Sequence, residues 1–385
     1  MSGGAGAFVR GVYPVRNAPA IPAHPTAAYW NTRPVGLMRT VPGAASWGTL
    51  DDSVARSAEI GLKPWLTGAA ADEVRTVRRL DFAAVQRLGR IRDLIEPLRE
   101  AFRRGAHAPP RTQHQLTESV NPETLLMMPA WRRGGPIGVK LVTVFPENAR
   151  QGRPTVAGEY LLFDGKSGEA LALIDGSALT LLRTAAVSAL AADLLAPGHP
   201  KVLLMIGTGA LARHLVEGHA AVRDYQRVLI WGRDSTKAAA VAEHVSKLAP
   251  VVDVAADLTR AVSEADVISC ATMAQQPLVR GSWLKTVAHL DLVGGFKPTM
   301  READDECFRR ASAVAVDTLD ALKEAGDLID PIASGALSTT KVIPLNRMIN
   351  ERTSPAREGV TVFKSVGHGI ADLATAEWLL KCGAS

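Results

Sequence analysis

The sequence predicts an α/β protein in two parts: a doubly wound parallel sheet, and a smaller α+β domain built on an antiparallel sheet. Three observations carry that expectation. Beyond about residue 200, short apolar runs alternate with helical periodicities, the pattern of βαβ units. The first run, Val202 to Ile206, stops at Gly207-Thr208-Gly209-Ala210-Leu211-Ala212, after which apolar residues recur at Leu211, Leu215, Val216 and Ala220. Upstream, strand-like runs follow one another across short turns with no helix between them, which implies antiparallel pairing.

With 385 residues the chain has room for two domains. No apolar run is expected to reach transmembrane length, and the chain reads as soluble and cytoplasmic. The formal charge of +5 comes mostly from residues 1–50, which hold four Arg and no Lys, Asp or Glu. Beyond them 40 Lys and Arg face 39 Asp and Glu, so no basic stripe marks a nucleic-acid binder. Cys270, Cys307 and Cys382 are widely spaced, which suggests neither a disulfide framework nor a metal site. Residues 1–78 are rich in Gly, Pro and Ala without sustained periodicity and are expected to form a disordered leader. Its acid-free, Arg-containing start also faintly resembles an organelle transit peptide.

From Leu80 to Arg104 the apolar spacing is helical and is interrupted at Pro97, so two helical pieces are expected. Pro109-Pro110-Arg111-Thr112 stiffens a loop that presents Arg111. Strands are expected over Thr124–Trp131, Ile137–Phe145, Tyr160–Asp164 and Ala170–Asp175, the last two joined through Gly165-Lys166-Ser167-Gly168. Lys140 interrupts an apolar strand. An outward-facing lysine and a buried one with a purpose fit its periodicity equally well, since an idle buried ammonium is costly. Ser177–Ala196 reads as a helix in which Arg183 is set among Leu179, Leu182, Ala186, Val187 and Leu190. That placement suits either a snorkelling surface residue or an anion's partner. Pro197-Gly198 marks the domain boundary.

Strand, glycine turn and helix in that order make the opening unit of a dinucleotide site. Gly207 permits the turn, Gly209 lets a pyrophosphate approach the backbone, and Ala212 keeps helix and sheet close. The next strand, Arg227–Trp231, ends in Gly232-Arg233, where an NAD enzyme usually carries a carboxylate for the ribose 2′-hydroxyl. A guanidinium there can pair with a 2′-phosphate, so NADPH is favoured, with NADH possible. Four more strands are expected at Val251–Val254, Asp266–Ala271, His289–Val293 and Ala313–Asp317, giving six, with Thr299 and Glu302 as a capping box. The domains expected are therefore 79–196 with 345–385 for substrate and dimerisation, and 197–344 for the dinucleotide.

Taken in order, PPRT, GVKLVTVFPEN, LRTAAVSALAA, IGTGALA, HLDLVGGFKPTMREADDE and TVFKSVGHGIADL resemble the ornithine cyclodeaminase and mu-crystallin family from about residue 80 onward. The resemblance implies a homodimer formed through the first sheet and a small amino-acid-derived substrate. It implies Arg111 as ligand of the substrate carboxylate and Lys140 as the active-site lysine, with Phe296 and Val366 on the substrate side. It places Thr155, Arg183, Gly207, Gly209, Ala210, Leu211, Thr272, Val293 and Ser365 at the cofactor. One departure bears on activity: the cyclodeaminases carry an Asp where this chain has Phe296 after Gly294-Gly295. Amine oxidation and ring closure need a positioned acid-base group, and Phe cannot titrate. Asp291, Lys297 and Asp304 are near in sequence, but each reads as a solvated loop charge. Family members with Phe here resemble ketimine reductases, which implies reduction of Δ1-pyrroline-2-carboxylate or Δ1-piperideine-2-carboxylate. The alternatives are an ornithine cyclodeaminase or amino-acid dehydrogenase in which Asp291 or water stands in, and an NADPH-dependent binding protein of mu-crystallin type.

Overall fold

The computed structural model describes residues 77–119, 122–351 and 358–383. The expected leader lies outside them except at its end, where Arg78 already belongs to a strand. That strand, β1 (Arg78–Leu80), is followed by helices α1 (Phe82–Leu88) and α2 (Ile91–Arg104). The break between the helices falls at Gly89-Arg90, not at Pro97. Asp81 caps α1 through the Ala84 N–H, and the Gly89 N–H closes it on the Val85 carbonyl. Pro97 sits inside α2, where burial of Leu94, Ile95 and Leu98 around it offsets the hydrogen bond that proline cannot make.

Strands β2 (Thr112–Gln115), β3 (Thr124–Trp131), β4 (Ile137–Val144), β5 (Val156–Phe163) and β6 (Ala170–Asp175) complete a sheet in the order β1-β6-β5-β4-β3-β2. It is antiparallel from β6 to β2, but β1 adds to β6 in parallel, so the sheet is mixed. The β5–β6 turn is held by Asp164, whose Oδ1 accepts from the Lys166 and Ser167 N–H groups.

Helix α3 (Gly176–Leu195), capped by Asp175, packs against β5, α2 and two strands of the second sheet. Contrary to expectation, it is long and apolar enough by composition to cross a bilayer. Most of that stretch is buried inside the protein, because α3 is covered on all sides by other elements.

The remaining elements alternate: β7 (Val202–Ile206), α4 (Leu211–Val222), β8 (Arg227–Trp231), α5 (Ser235–His244), β9 (Val251–Val254), α6 (Leu258–Glu264) and β10 (Val267–Cys270). After these come β11 (Ala288–Leu292), α7 (Asp305–Arg310), β12 (Ala311–Val316), α8 (Ala321–Glu324) and α9 (Gly326–Ala333). The chain closes with β13 (Val342–Pro344), α10 (Leu345–Glu351), β14 (Val360–Lys364) and α11 (Gly369–Cys382). All eight strands of this sheet are parallel, in the order β13-β12-β14-β11-β10-β7-β8-β9. Leu203 and Met205 of β7 enter the core shared with α3, while Leu204 and Ile206 enter the core on the opposite face, as the strand period requires.

Two expectations are corrected here. The segment 345–385 does not belong as a whole to the substrate domain. Its strand β14 is wedged between β11 and β12, whereas α10 packs on α2 and α11 packs on α2 and α3. Thr299 and Glu302 form no capping box. Helix α7 begins later and is capped by Asp304 through the Cys307 N–H, while Glu302 is buried and bonded elsewhere.

Candidate active site

The dinucleotide elements come together where strand order reverses. β7 is flanked by β8 on one side and β10 on the other, so the loops at their carboxyl ends part and leave a crevice. Gly207 turns there with φ of 117°, and a Cβ on it would lie 2.5 Å from the Ala271 carbonyl oxygen; only glycine fits. Helix α4 starts after Ala210, which offers no capping oxygen; the Ala212 N–H is taken by the Gly209 carbonyl, and the space where a Gly209 side chain would stand is open. That cradle fits a pyrophosphate. Arg233, beyond β8, is exposed and has no hydrogen-bond or ion-pair partner among the described residues. The acid next to it, Asp234, is occupied in capping α5 through the Thr236 and Lys237 N–H groups. Thr272, Val293 and Ser365 follow β10, β11 and β14 at the same edge of the sheet.

A second group of residues lines a pocket between the mixed sheet, α11 and the loop after β14: Arg111, Lys140, Arg183, Val366, His368 and Asp372. Lys140 lies opposite Met128 on β3 and Tyr160 on β5, and its side chain faces inward. Its Nζ is 2.7 Å from Asp372 Oδ2, and the Arg183 Nε donates to Asp372 Oδ1 at 2.9 Å. All three side chains are buried. Burial pushes the Lys140 ammonium down to about 8, with Arg183 and Arg111 also lowering it while Asp372 opposes them. Burial works against the charge of Asp372 too, but Lys140 and Arg183 hold its carboxyl below the usual range. The cluster thus carries two cations on one anion, a net positive charge aimed at the pocket.

Gly367 has φ of 90°, and a Cβ there would come within 2.8 Å of the Arg183 guanidinium. Asp317 fixes this loop, accepting from Ser365 Oγ and the Val366 and Gly367 N–H groups. His368 Nδ1 accepts from the Ile370 N–H and caps α11; burial pushes its imidazole down, keeping it neutral. On the opposite wall the Arg111 guanidinium donates to Glu324 Oε2 at 2.7 Å and to the Val366 carbonyl at 3.4 Å.

Arg111, Lys140 and Val366 therefore meet in one pocket. Arg183, assigned by resemblance to the cofactor, stands beside Lys140. Thr155 lies apart, at the start of β5, where its carbonyl accepts from the Phe145 N–H. Phe296 is 45% exposed on the loop after β11, with Lys297 near its ring, and it is not among the pocket's lining residues. Asp291 is not a loop charge. It is the fourth residue of β11, 0% exposed, and accepts from Ser188 Oγ, Ser269 Oγ and His219 Nε2. Asp304 is the α7 cap. Sequence reasoning missed Asp372, Glu324 and His368 as pocket residues. The signal for Asp372 was an acid inside the apolar closing stretch GIADLATAEWLL.

Comparison with known proteins identifies the family. The family model described as the ornithine cyclodeaminase/mu-crystallin family matches residues 77–381. Protein SAR DEFICIENT 4 of Arabidopsis thaliana is 40% identical over 269 residues, covering 67% of this chain and 82% of the plant protein. The Delta(1)-pyrroline-2-carboxylate reductase of Colwellia psychrerythraea is 35% identical over 292 residues, covering 74% and 92%. Among solved structures, the Thermococcus litoralis Delta(1)-pyrroline-2-carboxylate reductase in complex with NADH and L-proline superposes with a TM-score of 0.74 at 28% identity, covering 80% of this chain and 98% of that one. The chain belongs to the ornithine cyclodeaminase/mu-crystallin family.

Proposed function

We propose that the protein is a nicotinamide-dependent oxidoreductase acting on C=N bonds, and that its substrate is a cyclic ketimine carboxylate: Δ1-pyrroline-2-carboxylate, yielding L-proline, Δ1-piperideine-2-carboxylate, yielding L-pipecolate, or both. The observation that carries this reading is the cluster of Lys140 and Arg183 on a shared Asp372, facing Arg111 across one pocket beside a dinucleotide crevice. The identity to the Colwellia reductase supports the same reaction class.

When bound, a reduced nicotinamide dinucleotide would supply the hydride that this reduction needs. The remaining work falls to the chain's own residues. Arg111 binds the ring's 2-carboxylate, and Glu324 and the Val366 carbonyl aim its guanidinium. Lys140, an ammonium below a pH of about 8, places a proton at the imine nitrogen, so that carbon gains hydride and nitrogen gains or keeps a proton. Asp372 holds the Lys140 Nζ in place, and Arg183 adds a second cation beside it, so the Lys140–Arg183–Asp372 cluster presents a net positive charge to an anionic substrate. The exposed guanidinium of Arg233 supports NADPH over NADH. A homodimer through the mixed sheet belongs to the same reading, supported by exposed Leu116, Trp131, Phe145 and Val156 on or beside its strands.

The test is oxidation of NADPH or NADH by the full chain with each imine offered separately. Turnover with either imine is expected, faster with NADPH. No turnover with either imine overturns the reading. The burial of Asp291 argues against its serving as the acid-base group of a cyclodeaminase, so ornithine with NAD is expected to release no ammonia. Tight NADPH binding without turnover of either imine would favour the binding-protein alternative.

A further inference from the structure

A second buried charge cluster lies under the carboxyl edge of the parallel sheet, outside the pocket just described. Glu302, Asp327 and Lys364 are each 0% exposed. Glu302 Oε1 accepts from the Thr272 N–H at 2.7 Å and from Thr272 Oγ at 2.8 Å. Its Oε2 accepts from the Gly294 N–H at 2.8 Å and the Gly295 N–H at 3.2 Å, and lies 4.0 Å from Lys364 Nζ. Asp327 Oδ2 accepts from Lys364 Nζ at 2.9 Å, while its Oδ1 accepts from the Glu302 and Ala303 N–H groups. One carboxylate thus gathers the loop after β10 and the loop after β11. The lysine beside it ends β14, and Ser365 and Val366 come next. β14, β11 and β10 are adjacent in the sheet, so the three loops form a continuous rim. The packing leaves no slack: a Cβ on Gly294 would lie 2.1 Å from the Thr272 carbonyl and 2.6 Å from Glu302 Oε1.

The rim's position says which part of a ligand it serves. In a doubly wound sheet a dinucleotide crosses the switch point, with its pyrophosphate at the first helix and its two halves on opposite sides. β8 and Arg233 lie on one side of β7, the side of the 2′-phosphate. β10, β11 and β14 lie on the other, the side that would hold the nicotinamide half. Burial pushes the Glu302 carboxyl up, as does Asp327, while Lys364 and the Thr272 donors oppose them; the three loop N–H groups and the hydroxyl that it accepts from favour its ionised form, spreading onto the loops the charge that one ammonium leaves unbalanced. The loops are therefore tied by charge-assisted hydrogen bonds, stronger than neutral ones.

We propose that Glu302, locked with Asp327 and Lys364, is a positioning residue that sets the nicotinamide-side rim of the dinucleotide site without touching the dinucleotide itself. The proposal rests on the reading of the crevice as a nicotinamide dinucleotide site. It separates Glu302 from residues that merely stabilise the fold, because its effect is confined to half of the ligand.

The experiment compares two probes on the full chain: the reduced dinucleotide the parent binds more tightly, and the matching ADP-ribose compound that lacks nicotinamide. Glu302→Gln keeps the side chain's size but turns one acceptor into a donor facing N–H groups. It is expected to weaken the dinucleotide on the order of tenfold, equivalent to losing one charge-assisted hydrogen bond, and to leave the nicotinamide-free probe within about twofold. Thr272→Val, which removes the hydroxyl that donates to Glu302 and accepts from the Ala274 N–H, is expected to show the same pattern at smaller size, and serves if the Glu302 variant does not fold. Parallel weakening of both probes overturns the proposal in favour of a global structural role, and unchanged binding of both overturns it outright. If the parent binds neither probe, the dinucleotide reading fails first and takes this proposal with it.

Discussion

Asp372 and Asp291 are both buried aspartates within the same fold, and their surroundings make them opposites. Asp372, on α11, is satisfied by two cations, Lys140 and Arg183, that came from a strand and a helix of the first domain. The three together open onto a pocket. Asp291, in β11, is satisfied by two hydroxyls and an imidazole from α3, α4 and β10, and is sealed on every side. Burial penalises both charges, yet each carboxyl is held below its usual range by its partners. A desolvated acid is therefore not by itself a sign of chemistry. What distinguishes Asp372 is that its counter-charges exceed it and that the excess faces a space a ligand can enter.

The comparison can be broken most sharply at the lysine. Lys140→Ala is expected to lower ketimine reduction by about 10² to 10⁴-fold while dinucleotide binding persists, measured by oxidation of the reduced nicotinamide and by direct titration. Retained turnover would remove the lysine as proton donor.

Asp372→Asn is next. It strands two cations in a buried site and is expected to cost about 3–5 kcal/mol in denaturant unfolding. It also has a signature in pH. In the proposed role of Lys140 as proton donor the ammonium is the active form, so parent activity is expected to fall as pH rises through about 8. Removing the acid that raises the lysine's pKa moves that alkaline limb to lower pH. A limb that stays in place would mean that Asp372 does not govern the lysine.

Asp291→Asn sharpens the contrast from the other side. Loss of its charge weakens three hydrogen bonds and is expected to cost about 1–3 kcal/mol of stability, yet to leave the alkaline limb where it was. A displaced limb would show that the sealed aspartate communicates with the pocket after all. The smallest effect is expected from Arg233→Ser, which should reduce the preference for NADPH over NADH by roughly tenfold and leave imine affinity unchanged, read from the ratio of kcat/KM for the two cofactors.

Local order made much of this legible in advance. Val202–Ile206 and the glycine turn after it occupy contiguous residues, and the geometry of that turn is dictated by neighbours in sequence. The same is true of β8, β9, β10, β11 and β12, each found within two residues of where alternation placed it. Lys140 was different: as one residue in an apolar strand it could face either way, and the partner that settles its direction lies 232 positions later, at Asp372. Phe296 shows the reverse case, a position marked by motif whose side chain the fold leaves half in solvent.

The sequence by itself determined the class of fold, the dinucleotide turn and the family, because these are written in period and local spacing. Tertiary structure alone decided that β14 enters the middle of the parallel sheet, that Asp372 rather than Asp291 faces the pocket, and that Glu302 ties two loops rather than capping a helix. Each of those outcomes depends on which distant donors reach a buried carboxylate, and a buried charge goes wherever the whole chain can satisfy it.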